Sequence, residues 1–506
     1  MARYKPYDYD QALLLPVCLQ DRLIPGTLEF AIHTLVESRM ETSVFDSQFI
    51  DDDTGRLAYD PKVLLKVVLV AYSRGMITSR RIEQACRENV TFMALACGQV
   101  PDHSTIAAFI SSMRDEIQPL FRDVLLVCEE VNLLGGTTFA LDGCKLPSNA
   151  SREWSGRFSD LARRRDKLEA KVKGLMQEHV ESDKTEARQY DKHNPSGEKR
   201  RDEQIRRLHQ KADRIDQWLR ENEPKRGKEG KEIQSNITDN ESAKMVTSHG
   251  TIQGYNGQTL VDAKHQVIVQ AEAFGSGQDF NHVSPLVEGA KENLRALGYS
   301  GSYFEGKVLA ADSNYHSQEN LTKCQAEKID AYIPDVNFRK RDPRFATQGR
   351  HKPERPERFT VEDFRYDEAS DRYLCPNGKA LRLYARKAWI RDTYFRRYEA
   401  EERDCAMCPV REKCLESKAT KRKNLAVALA EQPITLHRAM MKKIDTEEGR
   451  RVYGLRLAIV EPIFANLRIH KRLDRFTLRG KIKVNIQWLL YCMVHNIEKI
   501  ANYGYA

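Results

Sequence analysis

Asp142 follows the apolar run TTFAL and is followed at once by Gly143. Asp312 follows a second such run, Val308 to Ala311, in GKVLAADSNYH. Each reads as a strand ending on an acid, and open α/β sheets set their sites at such strand ends. A third acid, Glu461, lies in RRVYGLRLAIVEPIFANLRIHKR. There Tyr453, Leu457, Val460, Phe464 and Leu467 make one apolar helical stripe. Gly454, Ala458, Glu461, Ala465 and Arg468 make its neighbour, at spacings of 4, 3, 4 and 3. Glu461 is the one acid on that face of small residues, where a phosphate or another backbone can come close. Pro462 removes an amide just after it, so a kink or a helix start is expected there. Magnesium takes a few carboxylates and keeps room for water and phosphate oxygens. Two such ions about 3.5–4 Å apart can activate an attacking oxygen and stabilise the leaving one during phosphoryl transfer. Taken singly, Asp142 and Asp312 read equally well as turn residues, and Glu461 as a surface ion-pair partner.

A second set of residues suits a different metal. Cys375 in CPNG, Cys405 and Cys408 in CAMC, and Cys414 supply four thiols within forty residues. A C-x2-C pair with two further cysteines fits a closed tetrahedral Zn2+ site of the structural kind, and four reduced thiols are the alternative. The eleven cysteines are odd in number and follow no export signal, which argues against a disulfide framework. Cys144 reads as a packing residue. His249, His265, His282 and His316 read as hydrogen-bonded structural histidines, with His316 singled out by its place beside Asp312.

These residues need elements to hold them, and 506 residues suffice for two to four domains. Residues 1–130 read as helices. Pro61 suits N1 of KVLLKVVLVAYSR, which Gly75 ends; Ser79 can cap RRIEQACRE and Ser104 can cap TIAAFISSMRDEI. Short helices with turns between them, and Arg80 and Arg81 exposed at the start of one, suit a helix-turn-helix-like DNA-binding domain. From 137 the period becomes that of strands, with a Gly-Tyr-Asn-Gly turn and an Asp-Ala-Lys-His turn bounding alternating runs in 251–273. The core sheet is thus expected over 131–151 and 241–335. Residues 152–240 interrupt it with two stripes: Leu161, Leu168, Val172 and Leu175, then Ile205, Leu208, Ala212, Ile215 and Leu219. With Asn194-Pro195-Ser196-Gly197 between them, they read as an inserted, charged antiparallel helical hairpin. A loop over 335–360 leads into a β-rich, cysteine-bearing segment, 336–435 in all, and helices return over 436–506.

The formal charge of +9 is concentrated. Arg468, Lys471, Arg472, Arg475, Arg479, Lys481 and Lys483 stand against Asp474 alone in that stretch. A polyanion-binding surface would need such a cluster, and a solvated helix face would also explain it. The N-terminus shows no signal-peptide apolar region, and VNIQWLLYCMVHNIEKI is too short and polar to span a bilayer.

The ordered set LDG, VLAADSNYH, YxxR and VEPIF resembles the DDE transposases of bacterial insertion sequences. The nearest resemblance is to the insertion-sequence family numbered 1182, related to the family-4 branch. It extends over DPKVLLKVVLVAYSRGMITSRRIEQACREN, PDHSTIAAF, LDGCKLPSNAS, GYNGQTLVD and ADSNYHSQENL, and so over most of the chain. It implies an α/β fold: an RNase H-like catalytic core, a mixed sheet flanked by helices, with the N-terminal helical DNA-binding domain, the hairpin and the cysteine-bearing β-rich insert attached. By position, Asp142, Asp312 and Glu461 match the three catalytic acids, which would hold Mg2+ (or Mn2+). Tyr453 and Arg456 match the first members of a Tyr-Arg-Glu-Lys signature. Here the step from Arg456 to Glu461 is one residue longer than in that signature, and Arg468 stands where its Lys would fall. DNA contacts are expected from Arg80, Arg81, Tyr453, Arg456, Arg468, Lys471, Arg472 and Arg475. The implied activity is binding of terminal inverted repeats, cleavage of DNA ends and joining of the freed 3′ hydroxyls to target DNA. A homodimer acting in the bacterial cytoplasm, at the nucleoid when DNA-bound and away from membranes, goes with it. A catalytically inactive or co-opted DNA-binding derivative and a stand-alone RNase H-like nuclease are the alternatives.

Overall fold

A computed structural model describes residues 18–48, 58–186, 195–227, 230–248, 250–345, 347, 358–390, 393–415, 417, 419–430 and 435–504. The chain divides into two units. One comprises Met1–Ala311, Glu327–Asp330 and Gly454–Ala506, the other Asp312–Ala326 and Ala331–Tyr453.

Helix α1 (Leu28–Ser38) is capped by Thr27, which accepts from the Phe30 amide. In α2 (Pro61–Ser73), Pro61 takes the N-terminal position expected of it and Asp60 accepts from the Lys62 amide. Every residue from Val63 to Tyr72 is buried, as an apolar helix without a polar face must be. Gly75 ends the turn after it at φ +69°, and a Cβ there would meet the Arg472 Cβ at 2.9 Å. Helices α3 (Ser79–Glu88), α4 (Val90–Leu95), α5 (His103–Ser112) and α6 (Ile117–Glu130) follow. Two caps differ from the sequence expectation. Thr78, not Ser79, holds the N-cap position of α3, and Asp102, not Ser104, caps α5 by accepting from the Ser104 and Thr105 amides. A carboxylate that reaches two amides outcompetes a hydroxyl two residues later.

Strand β1 (Thr138–Pro147) leads to β2 (Ser155–Gly156), helices α7 (Phe158–Glu186) and α8 (Pro195–Glu221), and β3 (Ser235–Asn236). The sheet resumes with β4 (Ala243–Thr247), β5 (Gly250–Asp262) and β6 (Ile268–Phe274); α9 (Val283–Ala296) then crosses to β7 (Val308–Ala311). β5 pairs antiparallel with β1 along one edge and with β4 and β6 along the other. β7 pairs parallel with the far edge of β1. The sheet is therefore mixed, with β1 between its antiparallel and parallel parts.

Two strand expectations need correction. β1 does not stop at Asp142; it runs on to Pro147 against β5, and only its pairing with β7 stops, at Leu141 and Ala311. Gly254 to Gly257 is not a turn but the middle of β5. Its glycines serve close approach: a Cβ on Gly254 would fall 2.0 Å from the Leu146 carbonyl oxygen, and one on Gly257 3.0 Å from the Trp488 ring. The Asp-Ala-Lys-His turn is present, held by Asp262, which accepts from the Gly135, Gly136 and Lys264 amides.

The helical hairpin is rooted by the β2–β3 ribbon and by Leu161, Ile215 and Ile237, which bury together against Trp154 and Trp218. Val172 and Ala212 are buried farther along. Arg165 reaches Asp216 at 2.7 Å across the two helices. Pro195 starts α8, and Asn194 of the expected turn lies outside the described residues.

In the second unit, α10 (Gln318–Ala326) and α11 (Phe338–Arg341), with β8 (Asp330–Tyr332), whose first residue belongs to the first unit, between them in sequence, precede the stretch 348–357, which lies outside the described residues. β9 (Arg365–Asp367), β10 (Arg372–Leu374), β11 (Ala380–Ile390), β12 (Thr393–Glu399) and, after α12 (Glu402–Ala406) and α13 (Arg411–Cys414), β13 (Asn424–Ala428) form an antiparallel sheet in the order β13-β12-β11-β10-β9. Phe364, Leu381, Tyr398 and Leu425 are its core. Helix α14 (Leu436–Asp445) closes the unit.

Helix α15 (Glu447–Ala465) carries Glu461, and α16 (Lys481–Tyr503) ends the chain. Pro462 neither starts nor ends α15 but sits inside it. Proline has no amide to offer the carbonyl four residues back, that of Ala458; the Gln266 side-chain amide supplies the bond instead, at 3.0 Å. A π-helical turn, Asn466–His470, follows. α16 packs against α1, α2, α6 and β6. Among the described residues no helix is long and apolar enough to cross a membrane.

Candidate active site

Asp142 sits on β1 opposite Thr259 of β5, one residue past the end of the pairing with β7. Its Oδ1 accepts from the Gly143 amide at 2.8 Å and its Oδ2 from Arg456. The Arg456 side chain is 7% exposed and that of Asp142 23%, so this ion pair is largely shielded from water. Beside it, the missing Cβ of Gly143 makes room for the Gln258 side chain, which donates to Asp279 at 2.8 Å. Asp279 also accepts from Asn256 at 2.6 Å. This buried amide–carboxylate net was not foreseen from sequence, although Gly143 was its signal. Cys144 is buried as expected, and burial pushes its thiol up to about 12.

Asp312 is the first residue of the second unit and directly follows Ala311, the register partner of Leu141. It caps the short turn Ser313–Tyr315, accepting from the Ser313 amide and, at 3.0 Å, from its hydroxyl. His316 Nδ1 bonds the Ile333 carbonyl at 2.7 Å, and burial lowers its pKa. Its ring lies 4.8 Å from that of His437.

Glu461 is exposed on α15, as are Ala458, Ala465 and Arg468 of its stripe. The expected DNA-contacting residues divide by burial. Arg80, Arg81, Arg468, Arg472 and Arg475 are exposed. Tyr453, Arg456 and Lys471 are not. Tyr453 packs on Phe338. The Lys471 ammonium donates to Glu498 at 2.6 Å and Asn466 at 2.7 Å; burial lowers its pKa while Glu498 works against that. Seen from sequence alone Arg456 and Lys471 are indistinguishable from the exposed cations, because their carboxylate partners lie 314 and 27 residues away.

Three carboxylates have the right chemistry for magnesium, yet the described arrangement does not fit the ion. The Asp142 carboxylate is committed to Arg456, and among the described residues no group of three or more His, Cys, Asp or Glu is placed to hold a metal. The four cysteines of the second unit line one pocket. The Cys375 sulfur accepts from the Lys379 amide at 3.3 Å in a tight turn closed by Gly378. Burial raises the Cys414 pKa, and Cys405, Cys375 and Cys408 add to the rise.

Residues 374–501 match the family described as Transposase DDE domain, and residues 17–112 match the one described as Transposase domain (DUF772). The first stretch contains the four cysteines, Arg456 and Glu461; the second contains α1 to α5. Matches to transposase domains toward both ends of the chain support a transposase of the DDE type. No curated protein and no solved structure matched the chain.

Proposed function

We propose that the chain is the transposase of a bacterial insertion sequence, of the family numbered 1182, that binds terminal inverted repeats, cleaves the DNA ends and joins them to target DNA. The observation that carries the reading is the register of two strands. β1 and β7 run parallel as far as Leu141 and Ala311, and the next residue of each is an acid, Asp142 and Asp312. The antiparallel β5–β1 and parallel β1–β7 order supports an RNase H-like core. Asp142, Asp312 and Glu461 are the proposed catalytic acids. Arg80 and Arg81 at the start of α3 and Arg468, Arg472 and Arg475 are the proposed phosphate contacts. Their closeness is supported by Arg472, whose side chain abuts Gly75, just before α3. Transposases of this type use divalent ions, generally Mg2+ with Mn2+ as a substitute; with Asp142 held by Arg456, the described arrangement gives them no complete seat. A structural Zn2+ on Cys375, Cys405, Cys408 and Cys414 and a homodimer that joins two ends complete the reading.

The test is nicking of a duplex that carries the DNA flanking the gene. Wild type should bind and nick it in Mg2+. Asp142→Asn, Asp312→Asn and Glu461→Gln should bind it and leave it intact. Wild type that binds without nicking would establish the non-catalytic, DNA-binding alternative, and nicking without end preference the stand-alone nuclease.

A further inference from the structure

We infer that one flank of the helical hairpin α7–α8 is a phosphate-binding surface for duplex DNA, continuous with the basic run that follows α15. The inference rests on the function proposed above and gives the inserted arm a part in it.

The two flanks of the arm use their charges differently. On one, Arg165 of α7 pairs with Asp216 of α8 at 2.7 Å, Arg220 pairs with the same Asp216, and His209 bonds Asp213 at 2.7 Å. Opposite charges meet there and cancel. On the other, α7 carries Arg164, Lys167 and Lys171 at spacings of 3 and 4, and α8 carries Arg207, Lys211 and Arg214 at spacings of 4 and 3. The Arg164 and Arg214 guanidiniums sit over the one ring of Trp154, 5.5 and 5.0 Å from its centroid, which brings the two stripes to the same side of the hairpin. Arg207 pairs with Glu203. Lys167, Lys171, Lys211 and Arg214 are exposed and have no ion pair among the described residues. Like charges four apart on a helix repel each other, and a polyanion laid along the row removes that repulsion while shedding its own counterions.

The row does not stop at the arm. Trp154 ends a short stretch that begins at Asn149, and the basic run holds Asn149: Arg479 donates to its carbonyl at 3.1 Å, and Arg475 to its side-chain oxygen at 3.4 Å and to the Ser148 carbonyl at 3.3 Å. Five residues of extended chain span at most about 18 Å, and the 3-10 turn Arg152–Trp154 shortens this stretch further. The arginines at its two ends therefore fall within about one turn of duplex, roughly 34 Å, with Arg152 exposed between them. Cations on flexible stems, set along one side of two helices, hold a phosphate backbone without reading base edges. The arm lengthens the footprint on DNA of any sequence and leaves the choice of site to other residues.

The measurement is the salt dependence of binding, by fluorescence anisotropy, of the full-length protein to the flanking-DNA duplex and to an unrelated duplex of equal length. Lys167→Gln/Lys171→Gln/Lys211→Gln should lower the slope of log K against log salt by about 2–3 on both duplexes, since each phosphate contact contributes about 0.9. Lys173→Gln/Arg206→Gln/Arg220→Gln removes three charges from elsewhere on the arm, all exposed, and should change the slope by less than about 1. Circular dichroism melting checks that both variants fold, and single Lys→Gln variants, each lowering the slope by about 1, serve in place of a triple variant that does not. Equal slopes in wild type and the Lys167/Lys171/Lys211 variant overturn the inference while DNA binding stands. A variant that alters sedimentation but not the slope overturns it in favour of a contact between copies of the chain. A lowered slope in a protein that binds DNA and never nicks it sustains the inference and overturns the transposase reading, whereas wild type that binds neither duplex overturns both.

Discussion

The ring of Tyr72 in α2 lies 5.0 Å from that of Tyr491 in α16, at an interplanar angle of 51°, and both side chains are buried. The N-terminal helices therefore share their core with the last helix of the chain and are not a separable bead on a linker. Tyr72→Ala should cost about 3–5 kcal/mol, the usual toll for deleting a buried aromatic ring. Deleting residues 1–130 should leave an insoluble or molten remainder, read by loss of the near-ultraviolet dichroism signal. A well-folded remainder would contradict the shared core.

Glycine positions offer a test of opposite signs. Gly257→Ala places a methyl 3.0 Å from the Trp488 ring, which is fully buried and donates to the Gln258 carbonyl, and should destabilise by about 1–3 kcal/mol. Gly174 lies within α7 with nothing near its missing Cβ. Gly174→Ala should stabilise by about 0.5–1 kcal/mol through helix propensity alone. Urea denaturation of the two variants measures both.

His495 sets a pH limit on stability. Burial pushes its pKa down to about 3, and its Nε2 bonds the Gln266 carbonyl at 2.9 Å. The unfolded chain binds a proton near pH 6.5, whereas the folded chain refuses it until about pH 3. The folded state's advantage is thus complete above pH 6.5 and falls away as pH drops toward 3, by on the order of 4–5 kcal/mol for this group. His495→Gln should flatten that part of the stability–pH curve, read by denaturant titration at a series of pH values.

The cysteine pocket makes a chemical prediction. Protein purified without chelator should carry one zinc per chain by elemental analysis, and Cys405→Ser or Cys408→Ser should lose it together with the ordered 5-stranded sheet around Leu381 and Tyr398. Metal-free protein with that sheet intact would leave the four residues as plain thiols.

What could be read in the sequence was local. Pro61, the stripes of the hairpin, the strand before each acid and the basic run near the C-terminus all announce themselves within a few residues. Errors arose where the deciding partner is distant. Gly254 and Gly257 look like turn glycines until Leu146 and Trp488 are set against them. Lys471 looks like a phosphate contact until Glu498 reaches it, and Arg456 reads as one more exposed cation until Asp142 is set against it. Near the candidate site, types and order were legible, while which charges face each other was not. Pairing across hundreds of residues leaves no mark in either local segment.

The burial of α2 also has a bearing on how the protein is made. Residues 61–73 leave the ribosome early, but α16, against which they pack, is built from residues 481–503. Until residues 481–503 are made, the face of α2 that meets α16 lacks its cover, and a chain broken off before them keeps that face exposed. The rest of α2 is covered by α1, α3, α4 and α5, so the face left open is the one that α16 takes. Truncated products would be sticky and readily degraded rather than free DNA-binding fragments that compete with the whole protein.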